Sequence, residues 1–277
     1  MIETGKQWIL KVVIYAILIV AAVIQVAPFL WMILSSFKTR LEAFAFPPIW
    51  IPQALTLEGY RFIAEQFPLL RLALNSVIIT AAVVILNLVL NSIVAYPLAR
   101  HRFPGRNLIF WIILATMVIP FHLILIPLFI IVVRLHGVNT YWGAILPYAM
   151  NAFNIFLFVQ YFKTIPQELS KSARIDGCSE LGILFRIIWP LSKPVLITVG
   201  ILTFIQTWNL FLWPLIVLQD QTMRTLPLVL ATLKGVHGTE WNALMAMATI
   251  ISLPVVLLFI WLQKYIVTGL AQTGIKG

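Results

Sequence analysis

Two groups of residues in this sequence have types and spacings that could do work. The first runs Ile165-Pro-Gln-Glu168-Leu169-Ser-Lys171-Ser172-Ala173-Arg174-Ile-Asp176-Gly177. Pro166 suits the first turn of a helix, with Glu168 near its positive end and Arg174 toward its negative end. Leu169, Ser172, Ala173 and Asp176 are spaced 3, 1 and 3 apart, which predicts one shared helix face. Ser172 and Ala173 are small and would let another protein's surface come close to the backbone. Gly177 permits a left-handed stop. Leu181, Leu184, Phe185 and Ile188 then predict a second, amphipathic helix that ends at Pro190. The pattern fits a helix that docks on a partner, and equally one that lies in a lipid headgroup layer.

The second group is polar and sits inside apolar runs. Thr80, Asn87 and Asn91 recur at intervals of 7 and 4, on one helix face. Asn151 and Asn154 open a later run, Gln160 lies near its end, and Gln206 and Asn209 flank Trp208. His122 follows Pro120-Phe121 and has two readings, a residue lining a solute path or an interhelical hydrogen bond. Polar groups in lipid are costly and mark function by default. Neutral amides beside aromatic rings suit a polyhydroxy solute, and no Asp, Glu, Lys or Arg lies mid-run to pair with a charged one. The candidate pathway residues are His122, Asn154, Gln206, Trp208 and Asn209. No nucleophile and base converge in these runs, so no catalytic residue is expected. His101, His136 and His237 fall in loops and Cys178 is the single cysteine, so no metal site is expected either.

These residues need elements to hold them, and composition says what kind. Of 277 residues, 61% are apolar and only 10% are charged, with a mean hydropathy of +1.00. Soluble domains carry roughly 25% charged residues. Lipid must be the solvent, which excludes a cytosolic enzyme, a secreted domain and a disordered chain. Runs free of charge predict spans at about 12–37, 72–99, 108–133, 141–162, 194–218 and 241–263. The expected fold class is an all-α membrane protein with six transmembrane helices in a single transmembrane domain, 1–277. Residues 38–71, broken by Pro47, Pro48, Pro52 and Pro68, predict a compact cap rather than a continuous helix.

The net charge of +10 reads as membrane topology and not as nucleic-acid binding. With the N terminus inside, 12 of the 19 basic residues fall in inner segments and 7 in outer ones. That asymmetry predicts both termini in the cytoplasm. The 164–193 segment is then an inner loop far longer than a turn requires. No phosphate-loop motif occurs, so any ATP must be bound by a partner.

The 165–177 segment, followed by Pro190-Leu191, resembles the cytoplasmic "EAA" coupling loop of ATP-binding-cassette importer permeases. Similarity to this family covers most of the chain. Val118-Ile-Pro120 with Ile126-Pro-Leu128, Trp208-Asn-Leu-Phe-Leu-Trp-Pro214 and Thr225-Leu-Pro227 also fit it. So do Trp241-Asn-Ala-Leu-Met-Ala246, Leu253-Pro254 and Ile275-Lys-Gly277. The chain resembles in particular the carbohydrate-uptake class, exemplified by the second permease subunit of the maltose system. One departure stands out: Lys171-Ser172-Ala173 occupies the place of the family's Glu-Ala-Ala, with Glu168 three positions earlier as a substitute acid.

The resemblance implies a type I ABC importer permease-like fold in the plasma (inner) membrane of a bacterium or archaeon. It implies a membrane translocation subunit, not an enzyme, of a binding-protein-dependent sugar or oligosaccharide importer. The implied partners are a second permease subunit, two ATP-binding-cassette ATPase subunits, an extracytoplasmic solute-binding protein and membrane lipid. ATP and Mg would sit on the ATPase, with no cofactor on this chain. The ATPase-coupling residues would be Glu168, Leu169, Ser172, Ala173, Asp176 and Gly177. The alternative reading, a secondary active transporter of a small neutral solute, would call for ion-coupling charges within the spans.

Overall fold

The computed structural model describes residues 5–235 and 238–273; of the sequence motifs, Ile275-Lys-Gly277 and His237 lie outside the described residues. Apart from a two-residue antiparallel pairing, β1 (Lys234–Gly235) with β2 (Gly238–Thr239), the described chain is helical. The helices are α1 (Gly5–Ser36), α2 (Arg40–Ala43), α3 (Glu58–Gln66), α4 (Leu69–Arg100), α5 (Arg106–Thr116), α6 (Phe121–Arg134), α7 (Tyr141–Ile145) and α8 (Ala152–Thr164). After them come α9 (Glu168–Ile175), α10 (Glu180–Ile183), α11 (Trp189–Leu191), α12 (Lys193–Trp208), α13 (Leu212–Val217), α14 (Leu226–Thr232) and α15 (Trp241–Thr273).

Three helices are long and apolar enough to cross a membrane unbroken, within Trp8–Ser36, Leu69–Arg100 and Trp241–Leu262. Three further candidates are bent pairs, so the count reaches six if each pair is one span. The reasons for the bends are local. The 108–133 run breaks before Pro120, which has no N–H to donate, and α5 meets α6 at 96°. The 141–162 run breaks at a 3-10 turn, Leu146–Tyr148, that contains Pro147. There α8 restarts under its own cap, Asn151 Oδ1 accepting from the N–H groups of Phe153 and Asn154. The third pair, Glu180–Leu191 with Lys193–Trp208, bends by 87° at Ser192, and the 194–218 run itself stops at Trp208 and resumes at Leu212. A run free of charges therefore marks apolar content, not an uninterrupted helix.

Contacts divide the chain into two units, 1–69 with 229–253, and 70–228 with 254–277. In the first, the proline-bearing stretch after α1 is not one continuous helix, α2 and α3 being separated by residues 44–57. Thr39 and Glu42 make a reciprocal capping box on α2. Lys38 is buried with its Nζ 3.8 Å from the Trp31 ring centre. Arg40 pairs with Glu240 at 2.8 Å, and a Cβ at Gly59 would sit 2.7 Å from the Asn242 carbonyl, so only glycine permits this approach.

The second unit holds two apolar cores. One is built on Phe158, Phe162, Ile183, Leu184, Ile188 and Val199, from α8, the α10–α11 segment and α12, with Ala95 and Ala99 of α4. The other surrounds Trp213, whose indole N–H donates to the Gly143 carbonyl at 3.0 Å. The 180–191 segment departs from expectation. Pro190 does not end it, because a π-turn at Leu184–Ile188 carries the chain into α11, and the helix stops only at Ser192. Leu184 and Ile188 turn into the core, while Leu181 and Phe185 stay exposed.

Candidate functional site

The 164–193 loop presents α9 as a rod of eight residues, covered on one side through Ser170 and Ala173, with a break at each end. Ile165 is extended before it. After it, Gly177 adopts φ +82°. The Gly177 N–H donates to the Arg174 carbonyl and the Cys178 N–H to that of Ala173, the paired bonds of a Schellman stop. Leu169 (40% exposed), Ser172, Ile175 (87% exposed) and Asp176 face outward. Ala173 does not: it is 5% exposed and packs into the α4–α8–α12 core. The expected single face of Leu169, Ser172, Ala173 and Asp176 is thus corrected. Ala173 lies beneath the rod, Ile175 joins its outer surface, and a bulky residue at 173 would disrupt this chain's own packing. At Gly177 an added Cβ meets nothing within 4 Å, so Val there carries only backbone strain. We expect Gly177→Val to cost about 1–2 kcal/mol, read as a lower melting temperature of the detergent-solubilised protein.

A clasp closes the far end of α9. The Glu180 carboxylate accepts from Arg174 Nε at 2.5 Å and from the Tyr96 hydroxyl at 2.8 Å, with His101 Nε2 at 3.2 Å. The Arg174 hydrogen bond above all holds the Glu180 carboxyl down at about 2. A depressed carboxyl stabilises fully above its unfolded value, near 4.5, and loses that contribution as pH falls toward 2. The melting-temperature difference between wild type and Glu180→Gln should therefore be constant near neutral pH and vanish on acidification through that window.

Beneath α9 lies Arg100, read in the sequence only as a topological charge. It is 9% exposed. Its guanidinium donates to the carbonyls of Phe162, Ile165 and Pro166 and to Ser170 Oγ, the last at 2.8 Å. No local sequence pattern announces this, since the partners lie more than 60 residues away.

The polar residues form a second site. A cleft of about 360 Å³ is lined by Asn87, Asn151, Asn154, Thr203, Gln206 and Thr207, with Phe121 and Tyr148 as its rings and no charged side chain. Behind it runs a chain of amides. Asn91 Nδ2 donates to Asn87 Oδ1 at 2.8 Å, and Asn154 Nδ2 donates to Asn87 Oδ1 at 2.9 Å and to Thr203 Oγ1 at 3.0 Å. Asn87 Nδ2 donates to the Tyr148 carbonyl.

Of the expected pathway residues, Asn154 and Gln206 line the cleft. His122 does not: it is exposed on the first turn of α6, without a hydrogen bond, and its neighbour Phe121 points into the cleft. Trp208 is buried away from it, stacked on Phe204. Residues two positions apart on a helix are about 200° apart around its axis, so Gln206 and Trp208 cannot share a face. Asn209 caps α12, its amide folded back on the Ile205 carbonyl at 2.8 Å. Phe121, Tyr148, Thr203 and Thr207 were missed. The spacing Thr203, Gln206, Thr207 was the available signal.

Residues 91–272 match the family described as binding-protein-dependent transport system inner membrane component. The chain belongs to that family. This permease is 41% identical over 259 residues to the arabinooligosaccharides transport system permease protein of Halalkalibacterium halodurans, covering 92% of this chain and 93% of the relative. It is 31% identical over 284 residues to the sn-glycerol-3-phosphate transport system permease protein of Escherichia coli, covering 99% of each. Its fold matches a chain in the crystal structure of a bacterial ABC transporter that imports the acidic polysaccharide alginate. That match has a TM-score of 0.85 and 23% identity, and covers 96% of this chain and 99% of that one. The permease is a translocation component of an ABC importer of the inner membrane, which decides against the secondary-transporter reading.

Proposed function

We propose that the permease moves a sugar or oligosaccharide, received from an extracytoplasmic binding protein, and is driven through its 164–193 loop by a separate ATPase. The observation that carries this reading is α9: a stiff rod, clasped from beneath, whose outer surface bears apolar Leu169 and Ile175 beside Ser172, Asp176 and Gly177. Glu168 stands at its open first turn. An apolar pair on the outer side of an otherwise polar helix is suited to a protein groove. Chain 1–277 acts as one permease domain with the spans given above, both termini and α9 in the cytoplasm, as the 12-to-7 distribution of basic residues supports.

A second permease subunit completes the path, of which this chain's cleft, built from α4, α6, α8 and α12, supplies one part. Two ATPase subunits bind ATP and Mg and supply the closing motion; this chain binds neither. The solute meets amides, hydroxyls and two rings, the groups that suit a neutral sugar's hydroxyls and faces. The arabinooligosaccharide relative supports that class.

Reconstitution tests the reading. Co-expressed with its sister permease, ATPase and binding protein, the chain should give vesicles that accumulate labelled oligosaccharide only with internal or external ATP on the ATPase side. Uptake without ATP, or no recruitment of ATPase, overturns it.

A further inference from the structure

We infer that Arg100 is a positioning residue that fastens the 168–175 helix to α4, making α4 the lever that carries the ATPase stroke to the cleft. This rests on the coupling role proposed above for α9 and names the route that the motion takes.

The chain itself gives α9 no rigid neighbour. Toward α8 the backbone runs through extended Ile165, and toward α10 it runs through left-handed Gly177 and extended Ser179. A push on α9 is therefore absorbed at both junctions unless side chains carry it elsewhere. The hydrogen-bonded ties of α9 run to α4, while Ala173 packs into the core shared by α4, α8 and α12. Arg100 holds the start of α9 through the Pro166 carbonyl (2.9 Å) and Ser170 Oγ (2.8 Å). One turn earlier on the same face, Tyr96 holds the end of α9 through Glu180 and Arg174. A rod tied at both ends to one helix cannot pivot on it, so α4 must follow.

Arg100 is suited to the task. Its acceptors are neutral, and two of them, the Phe162 and Ile165 carbonyls, cluster at the end of α8, where the helix dipole is negative. The flat guanidinium reaches four acceptors at once, which a lysine ammonium with three donors cannot reproduce. From Arg100, α4 runs without interruption to Asn87, 13 residues or about 20 Å away. Asn87 lines the cleft and is bonded to Asn154 and to the Tyr148 carbonyl, two further lining residues.

The test reads solute transported per ATP hydrolysed in vesicles carrying the complete importer. Wild type must show ATP-driven uptake; if it does not, the functional reading itself has failed. Given coupled wild type, Arg100→Gln should still recruit ATPase and hydrolyse ATP within about two-fold, while solute per ATP falls about ten-fold, at the upper range of coupling networks. Arg100→Lys should recover only part of the ratio. An unchanged ratio, or uptake and hydrolysis falling together, overturns the inference. Should Arg100→Gln fail to assemble, Tyr96→Phe decides: it removes the second tie and leaves the Glu180–Arg174 pair. It should lower the same ratio about three-fold in assembled, folded importer, with a modest drop in melting temperature from the lost hydrogen bond, and an unchanged ratio refutes the lever.

Discussion

Replacing Ile175 with Asp should weaken ATPase recruitment by one to two orders of magnitude and abolish uptake, while leaving the permease folded. Ile175 is 87% exposed and belongs to neither apolar core, so this chain loses almost no packing. Burying an isoleucine against a partner is worth about 1.5–3 kcal/mol, which is about 10–100-fold in affinity. Leu169→Asp, at a half-covered position, should act in the same direction and less strongly. Copurification of the ATPase with tagged permease, beside the permease's own melting temperature, measures both. The contrast is Ala173→Trp, which should lower the melting temperature first, because the residue lies in the core.

The second large effect is expected at Asn154. Asn154→Leu removes the donor to Asn87 Oδ1 and Thr203 Oγ1 and one amide from the cleft wall. Hydrogen bonds between membrane helices are worth about 0.6–2 kcal/mol, so stability should fall modestly. A solute hydroxyl that meets Leu instead of an amide loses more, and an apparent KM for uptake about ten-fold higher is expected. ATPase recruitment should be unaffected, since α9 is untouched. Trp208→Phe, by contrast, should leave KM unchanged, as its ring faces Phe204 and not the cleft.

The difference between these two residues shows what a sequence can disclose. Element type and membrane class were legible because lipid demands long apolar runs, and composition alone reports them. The stop at Gly177 was legible because positive φ has a residue preference. The amide row on α4 was legible as well, since Asn87 and Asn91 are one turn apart on a single helix. Breaks within apolar runs were not: Pro28, Pro97 and Pro254 stay inside helices, whereas the bend falls at Pro120. Nor was the inward turn of Ala173. Helical spacing placed it with Leu169 and Ser172, and only the core contributed by α4, α8 and α12 decides which side of the rod is covered. Arg100 was hidden for the same reason. Its acceptors are carbonyls, which every residue has, brought together by tertiary structure.

The most direct test of the coupling account is a site-specific crosslink from Ile175→Cys in a Cys178→Ser background, run on the assembled importer in oriented membranes. The cysteine should react with membrane-impermeant reagents from the cytoplasmic side alone. It should crosslink to the ATPase in a yield that changes with ATP. Labelling from the external face, or crosslinks confined to lipid through the whole ATP cycle, would contradict the central claim.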